Sequence, residues 1–121
     1  MTNVLIVDDS PVVRKVARRI LESMSFKVSE ASDANQALAA CSLVAPDAVL
    51  VDGTMPEIDG FEFVRRLRRV LGGDRAKVVF CLSENSVAQM ARATHAGADE
   101  ILLKPFDPDL LRPKFEGCGP R

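Results

Sequence analysis

VDGTMP, residues 51–56, ends an apolar run on an aspartate and then breaks it with Gly-Thr and Met-Pro. The run leading into it, DAVLVD over 47–52, is almost continuously apolar rather than alternating, as expected for a strand covered on both faces. An acidic side chain at the C-terminal end of such a strand stands where open α/β sheets place their ligands. The rest of the chain decides how many strands of this kind exist and what stands at their ends.

NVLIV (3–7) is a second strand of the same type, and it ends at Asp8 and Asp9. Ser10-Pro11 then starts a helix, with serine as N-cap and proline at the first helical position. Val12, Val13, Val16, Ala17, Ile20, Leu21 and Met24 recur along it at helical spacing. KVSEA (27–31) is a shorter, weaker strand. Asp33 caps a helix that runs to about Val44 and turns Ala37, Leu38 and Cys41 inward. GFEFVRRLRRVL (60–71) predicts a helix ended by Gly72-Gly73. AKVVFCLS (76–83) is a strand, NSVAQMARATHA (85–96) a helix stopped by Gly97, and EILL (100–103) the fifth strand. A short last helix, Pro108 to about Phe115, contains Pro113.

Strands that alternate with helices imply a parallel sheet with helices on both faces. The expected fold is α/β, a doubly wound five-stranded parallel sheet of order 2-1-3-4-5, its site beyond the carboxyl ends of the strands. Asp8, Asp9, Asp52, Ser83 and Lys104 all fall at such ends. A chain of 121 residues fits one domain, with a core over about 3–115 and a tail at 116–121. The net charge of −1 argues against a protein that coats nucleic acid. No apolar run approaches a membrane span and the N-terminus lacks a cleavable signal pattern, so a soluble, cytoplasmic protein is expected. Cys41, Cys81 and Cys118 share no metal-ligand spacing, and the first two read as buried free thiols.

Two phosphoryl-transfer families carry something like VDGTMP. Haloacid-dehalogenase-like phosphatases need a nucleophilic aspartate two residues before the Asp-Gly-Thr aspartate; that position is Leu50, so the phosphatase reading lacks its nucleophile. Asp8, Asp9, Asp52, Met55-Pro56, Ser83 and Lys104-Pro105, each on its own strand end, resemble the signature of response-regulator receiver domains. The resemblance runs from Val4 to Phe106 and closely matches CheY-like single-domain response regulators of two-component signalling, which implies the flavodoxin-like fold.

The resemblance implies a phosphoacceptor switch rather than a conventional enzyme. It assigns Asp52 as the phosphoryl acceptor. Asp9 and Asp52 become direct Mg2+ ligands, Asp8 a ligand through water, and the backbone carbonyl of Thr54 a further ligand. Mg2+ suits such a site because it takes hard oxygen donors and offsets three mutually repelling carboxylates. Lys104 and Ser83 would stabilise the charge on the transferred phosphoryl group, and Pro105 resembles the family's cis proline.

The chain has no kinase glycine loop and no Walker sequence, and its single histidine, His95, lies at the far end of its helix from the site. The implied donor is therefore a histidine kinase or a histidine phosphotransfer protein. With no DNA-binding domain and no membrane segment expected, output would be contact with a downstream protein, as in chemotactic motor switching or a phosphorelay. Many receivers carry an aromatic residue three positions before the lysine, where this chain has Ile101. That departure, with the short last helix, keeps open a second reading, a degenerate receiver acting as a constitutive binding module. Arg65, Arg66, Arg68 and Arg69 read as a solvated helix face, with an anionic partner surface as the alternative.

Overall fold

In the computed structural model, which describes residues 2–118, the chain runs β1 (Asn3–Val7), α1 (Pro11–Ser23), β2 (Lys27–Ala31), α2 (Ala34–Leu43), β3 (Ala48–Asp52), α3 (Gly60–Leu67), a 3-10 turn (Gly73–Arg75), β4 (Lys77–Leu82), α4 (Val87–Ala96), β5 (Glu100–Leu103) and α5 (Pro108–Phe115). The strands pair in parallel in the order β2-β1-β3-β4-β5, as the alternation of elements predicts. Of the expected tail at 116–121, residues 119–121 lie outside the described residues. Among the described residues no helix is long and apolar enough to cross a membrane.

The continuous apolar strands are explained by two packed layers. Val4, Ile6, Leu50, Val79, Cys81 and Leu102 point toward α1 and α5, where Ile20, Leu21, Leu111 and Phe115 meet them. Leu5, Val7, Val49, Val51, Val78 and Phe80 point the other way, against α2, α3 and α4. Each such fully buried side chain stabilises the fold by roughly 1.5–3 kcal/mol. The helices begin as their caps dictate: Ser10, Asp33, Asp59, Ser86 and Asp107 each accept a backbone N–H of the first turn.

Two expectations are corrected. Helix α3 ends at Leu67, four residues before the predicted end at Leu71. Arg68 turns back and donates to the carbonyls of Gly73 (2.9 Å), Ala76 (2.6 Å) and Gly97 (2.6 Å) and to Asp99 (3.1 Å). It is therefore a structural peg between α3 and two loops, not part of a solvated face. Arg65 and Arg66 do lie on the surface, sharing Glu62 as a partner at 3.0 and 2.9 Å. The second correction concerns α1, where Val12 is 72% and Val16 43% exposed although they share the period of the buried Ala17, Ile20 and Leu21.

Candidate functional site

The parallel sheet brings Asp8, Asp52, Ser83 and Lys104 to one edge because each follows the last residues of an adjacent strand. Asp52 ends β3 opposite Cys81. Lys104 follows β5, and its N–H donates to the Leu82 carbonyl at 2.8 Å, which sets it beside the start of the Ser83 loop. Asp8 follows β1, its carboxylate accepting the Ser10 N–H at 2.9 Å while the Arg14 side chain donates to its main-chain carbonyl at 2.6 Å.

Carboxylate oxygens of Asp8, Asp9 and Asp52 lie within 4.8 Å of one another. Asp8 and Asp52 are buried, at 3% and 7% exposure, while Asp9 is exposed. Lys104 reaches across: its Nζ is 2.7 Å from Asp8 and 3.4 Å from Asp52. The Thr54 N–H donates to the Asp52 carboxylate at 3.3 Å. Ser83 is exposed and lines, with Lys104, Val12, Val13, Val16 and Phe106, an open depression of about 440 Å3. The Lys104–Pro105 peptide is cis, and His95 lies exposed near the C-terminal end of α4.

Burial raises the pKa of the Asp52 carboxyl, and the Asp8 charge adds to the effect; Lys104 opposes it without cancelling it. Burial works against the Lys104 ammonium, but its hydrogen bond to Asp8 and the charges of Asp52 and Asp8 outweigh burial and raise its pKa. Lys104 is therefore a fixed positive charge at neutral pH. One ammonium does not neutralise three carboxylates, and the remaining donors are oxygens only, so the site has the chemistry of a hard divalent cation. A carboxyl whose pKa is raised by burial and by a neighbouring negative charge is relieved when such a cation binds.

Two residues that shape the site carry no obvious signal in the sequence. Arg14 sits on the polar side of an amphipathic helix, six residues after the aspartate whose carbonyl it holds. Gly60 donates its N–H to the Gly53 carbonyl at 3.1 Å, and a side chain there would overlap the Asp52 carbonyl oxygen. A glycine as the first residue of a helix, after a good aspartate cap, is a hint of such close approach.

A family model described as the response regulator receiver domain matches residues 4–116. Response regulator MprA of Mycolicibacterium vanbaalenii is 38% identical over 103 residues, covering 85% of this chain but 44% of that protein, so the chain spans less than half of that relative. Among solved structures, the chemotaxis response regulator CheY4 of Vibrio cholerae superposes with a TM-score of 0.90 at 30% identity, covering 95% of this chain and 96% of CheY4. The receiver domain of the sensor histidine kinase PA1611 of Pseudomonas aeruginosa PAO1, solved with a magnesium ion in its active site cleft, superposes with a TM-score of 0.84 at 27% identity over 94% of both chains.

Proposed function

The chain belongs to the response regulator receiver domain family, and from that premise we propose that it is a phosphoacceptor switch whose acceptor is Asp52. The observation that carries this reading is the buried Asp52 carboxylate, set 3.4 Å from the Lys104 ammonium and grouped with Asp8 and Asp9 at a strand end. A phosphoryl transfer needs a nucleophile beside fixed positive charge, and here the nucleophile is buried and grouped with two further carboxylates.

The donor is a phosphohistidine on a histidine kinase or a histidine phosphotransfer protein. A carboxylate oxygen of Asp52 attacks phosphorus in line, the phosphorus–nitrogen bond breaks, and the imidazole leaves with the bonding pair and takes up a proton. Lys104 holds positive charge against the oxygens of the arriving group. The Ser83 hydroxyl, at the rim beside Lys104, donates to one of them once the acyl phosphate has formed. Asp9, Asp52 and the Thr54 carbonyl, with Asp8 through water, would hold Mg2+, whose charge would offset the carboxylates and the phosphoryl oxygens. The apolar rim of Val12, Val16 and Phe106 beside Lys104 suits a protein donor, since a small soluble donor has no use for an exposed apolar seat of that size. Output is contact with a downstream protein in one state and not the other.

Acetyl phosphate, a small phosphodonor, tests the acceptor. With Mg2+ present the protein takes up one base-labile phosphoryl group per chain, and Asp52→Asn takes up none. Stoichiometric labelling that persists in Asp52→Asn places the acceptor elsewhere. A pull-down with and without beryllofluoride, a phosphoryl mimic, then names the downstream partner and shows whether its binding depends on the state of the site.

A further inference from the structure

Helix α4 is held to the sheet by small side chains. It buries Ala93 and Ala96 and half-buries Met90, so little apolar surface is exposed when it moves. Its C-terminal end is fixed, because the Gly97 carbonyl accepts the Arg68 guanidinium at 2.6 Å. Its N-terminal end follows the exposed residues Ser83, Glu84 and Asn85 and turns Val87 outward at 80% exposure. Between these ends Arg92 ties the helix to α3. Its guanidinium carbon lies 4.0 Å from the centre of the Phe61 ring, and it pairs with Asp59 at 3.6 Å.

Phe61 leads back to the acceptor. It is 5% exposed and packs on Phe80, with ring centres 4.7 Å apart. The edge of the Phe80 ring stands 2.8 Å from where a Cβ on Gly53 would be, so the ring fills the space that a side chain would take on the residue that follows Asp52. On its other side Phe61 follows Gly60, which is bonded to the Gly53 carbonyl at 3.1 Å and packed on the Asp52 carbonyl. Phe61 therefore sits between the backbone of the acceptor and a cation on α4.

We propose that Arg92 is a latch. It holds α4 against the Phe61–Phe80 pair while Asp52 is unmodified, and it gives way when the Asp52–Gly53 peptide shifts; the proposal rests on Asp52 being the acceptor. Arg92 touches no reacting atom and is a positioning residue. The fifth strand carries Ile101 where an aromatic ring is expected to pass the signal, and the Phe61–Phe80 pair supplies rings on the other route, through α3. Phosphorylation then swings α4 about its fixed end at Gly97. A partly exposed cation–π contact is of the right strength for a latch, worth about threefold in the balance of two states. By linkage, a contact made only in the unmodified state weakens binding of anything that stabilises the modified one.

The test measures beryllofluoride affinity in the presence of Mg2+ by fluorine NMR, together with hydrogen exchange, on the wild type, Arg92→Ala and Arg92→Lys. Arg92→Ala is expected to bind beryllofluoride about threefold more tightly and to lose protection along α4 in the free protein. Arg92→Lys keeps the cation and is expected to stay near the wild type. A residue that merely stabilised the fold would lower the melting temperature without tightening this binding. Phe61→Leu is expected to tighten it similarly, and the double variant to add nothing further. Equal or weaker binding by Arg92→Ala, or full additivity with Phe61→Leu, overturns the latch while leaving the acceptor in place. Failure of the wild type to bind beryllofluoride overturns the acceptor reading and the latch with it.

Discussion

Lys104 stands closer to Asp8, at 2.7 Å, than to Asp52, at 3.4 Å. The lysine is thus held mainly by Asp8 rather than by Asp52, the proposed acceptor, and is expected to stay in place when the charge on Asp52 changes. Removing it leaves Asp8, 3% exposed, as a buried charge without its partner. Lys104→Ala is expected to cost about 3 kcal/mol in metal-free protein, and most of that loss should return with Mg2+. Urea unfolding with EDTA and with Mg2+ measures both values. Labelling of Asp52 should persist in this variant, with the hydrogen-exchange response to beryllofluoride lost.

The acid side of the stability curve follows from Asp52. Its folded pKa lies above the ordinary value of 3.8 because of burial and the Asp8 charge. The folded state therefore favours the protonated form. Stability from this group is greatest at low pH and falls as pH rises from the ordinary value through the raised one. Above that window the folded protein carries a constant penalty. Asp52→Asn removes it and is expected to stabilise the metal-free protein at neutral pH by about 1 kcal/mol. The fall between the two pKa values should flatten as well. Urea midpoints across the acid range in EDTA decide it; a destabilised Asn variant would contradict the electrostatic account.

Mg2+ bound at the proposed site would act on the same penalty. A ligand that binds only the folded state stabilises it by about 1.4 kcal/mol at tenfold excess over its Kd. Thermal melts with millimolar Mg2+ are expected to shift upward in the wild type. They should shift far less when Asp9 is changed to Ala, which removes one oxygen donor from the exposed side of the cluster. Equal shifts in both would mean that the ion binds elsewhere.

Arg68 offers a prediction away from the site. Its guanidinium satisfies carbonyls of Gly73, Ala76 and Gly97 in one stroke. Arg68→Ala is expected to destabilise by about 2 kcal/mol, with faster amide exchange at the α4–β5 turn and in the loop after α3. Arg66→Ala, which loses a surface pair with Glu62, should cost less than about 0.5 kcal/mol.

The fold was readable because the sheet is covered on both sides. Strands such as NVLIV and AVLVD have no solvent face, so they stand out as unbroken apolar runs between capped helices. The site was readable for a related reason: in a parallel sheet every strand ends at the same edge, so Asp8, Asp52 and Lys104 had to meet once the strands were placed. Periodicity failed where apolar residues do not face the core. Val12 and Val16 follow the helical period of α1 yet line an open depression. Leu71 extends the pattern of α3, yet the α-helix ends at Leu67: the chain continues in i→i+3 turns, with the Arg69 N–H on the Arg66 carbonyl and the Val70 N–H on the Leu67 carbonyl, until Gly72 reverses it at φ 83°. Contacts of that kind, like Arg92 on Phe61 or Arg14 on the Asp8 carbonyl, join residues whose separation in sequence has no period.

The two buried cysteines lie on opposite sides of the sheet, Cys41 in the layer beneath α2, α3 and α4, and Cys81 in the layer beneath α1 and α5. Burial pushes the Cys41 thiol up to about 11 and raises that of Cys81 as well, so neither is a thiolate at neutral pH. Each is silent toward alkylating reagents until its own side of the molecule opens. Nature has thereby placed one chemical stopwatch in each half of the core. The rates at which the two thiols are modified, resolved by peptide mass, time the breathing of the two halves separately in a protein that has neither tryptophan nor tyrosine to report it by fluorescence.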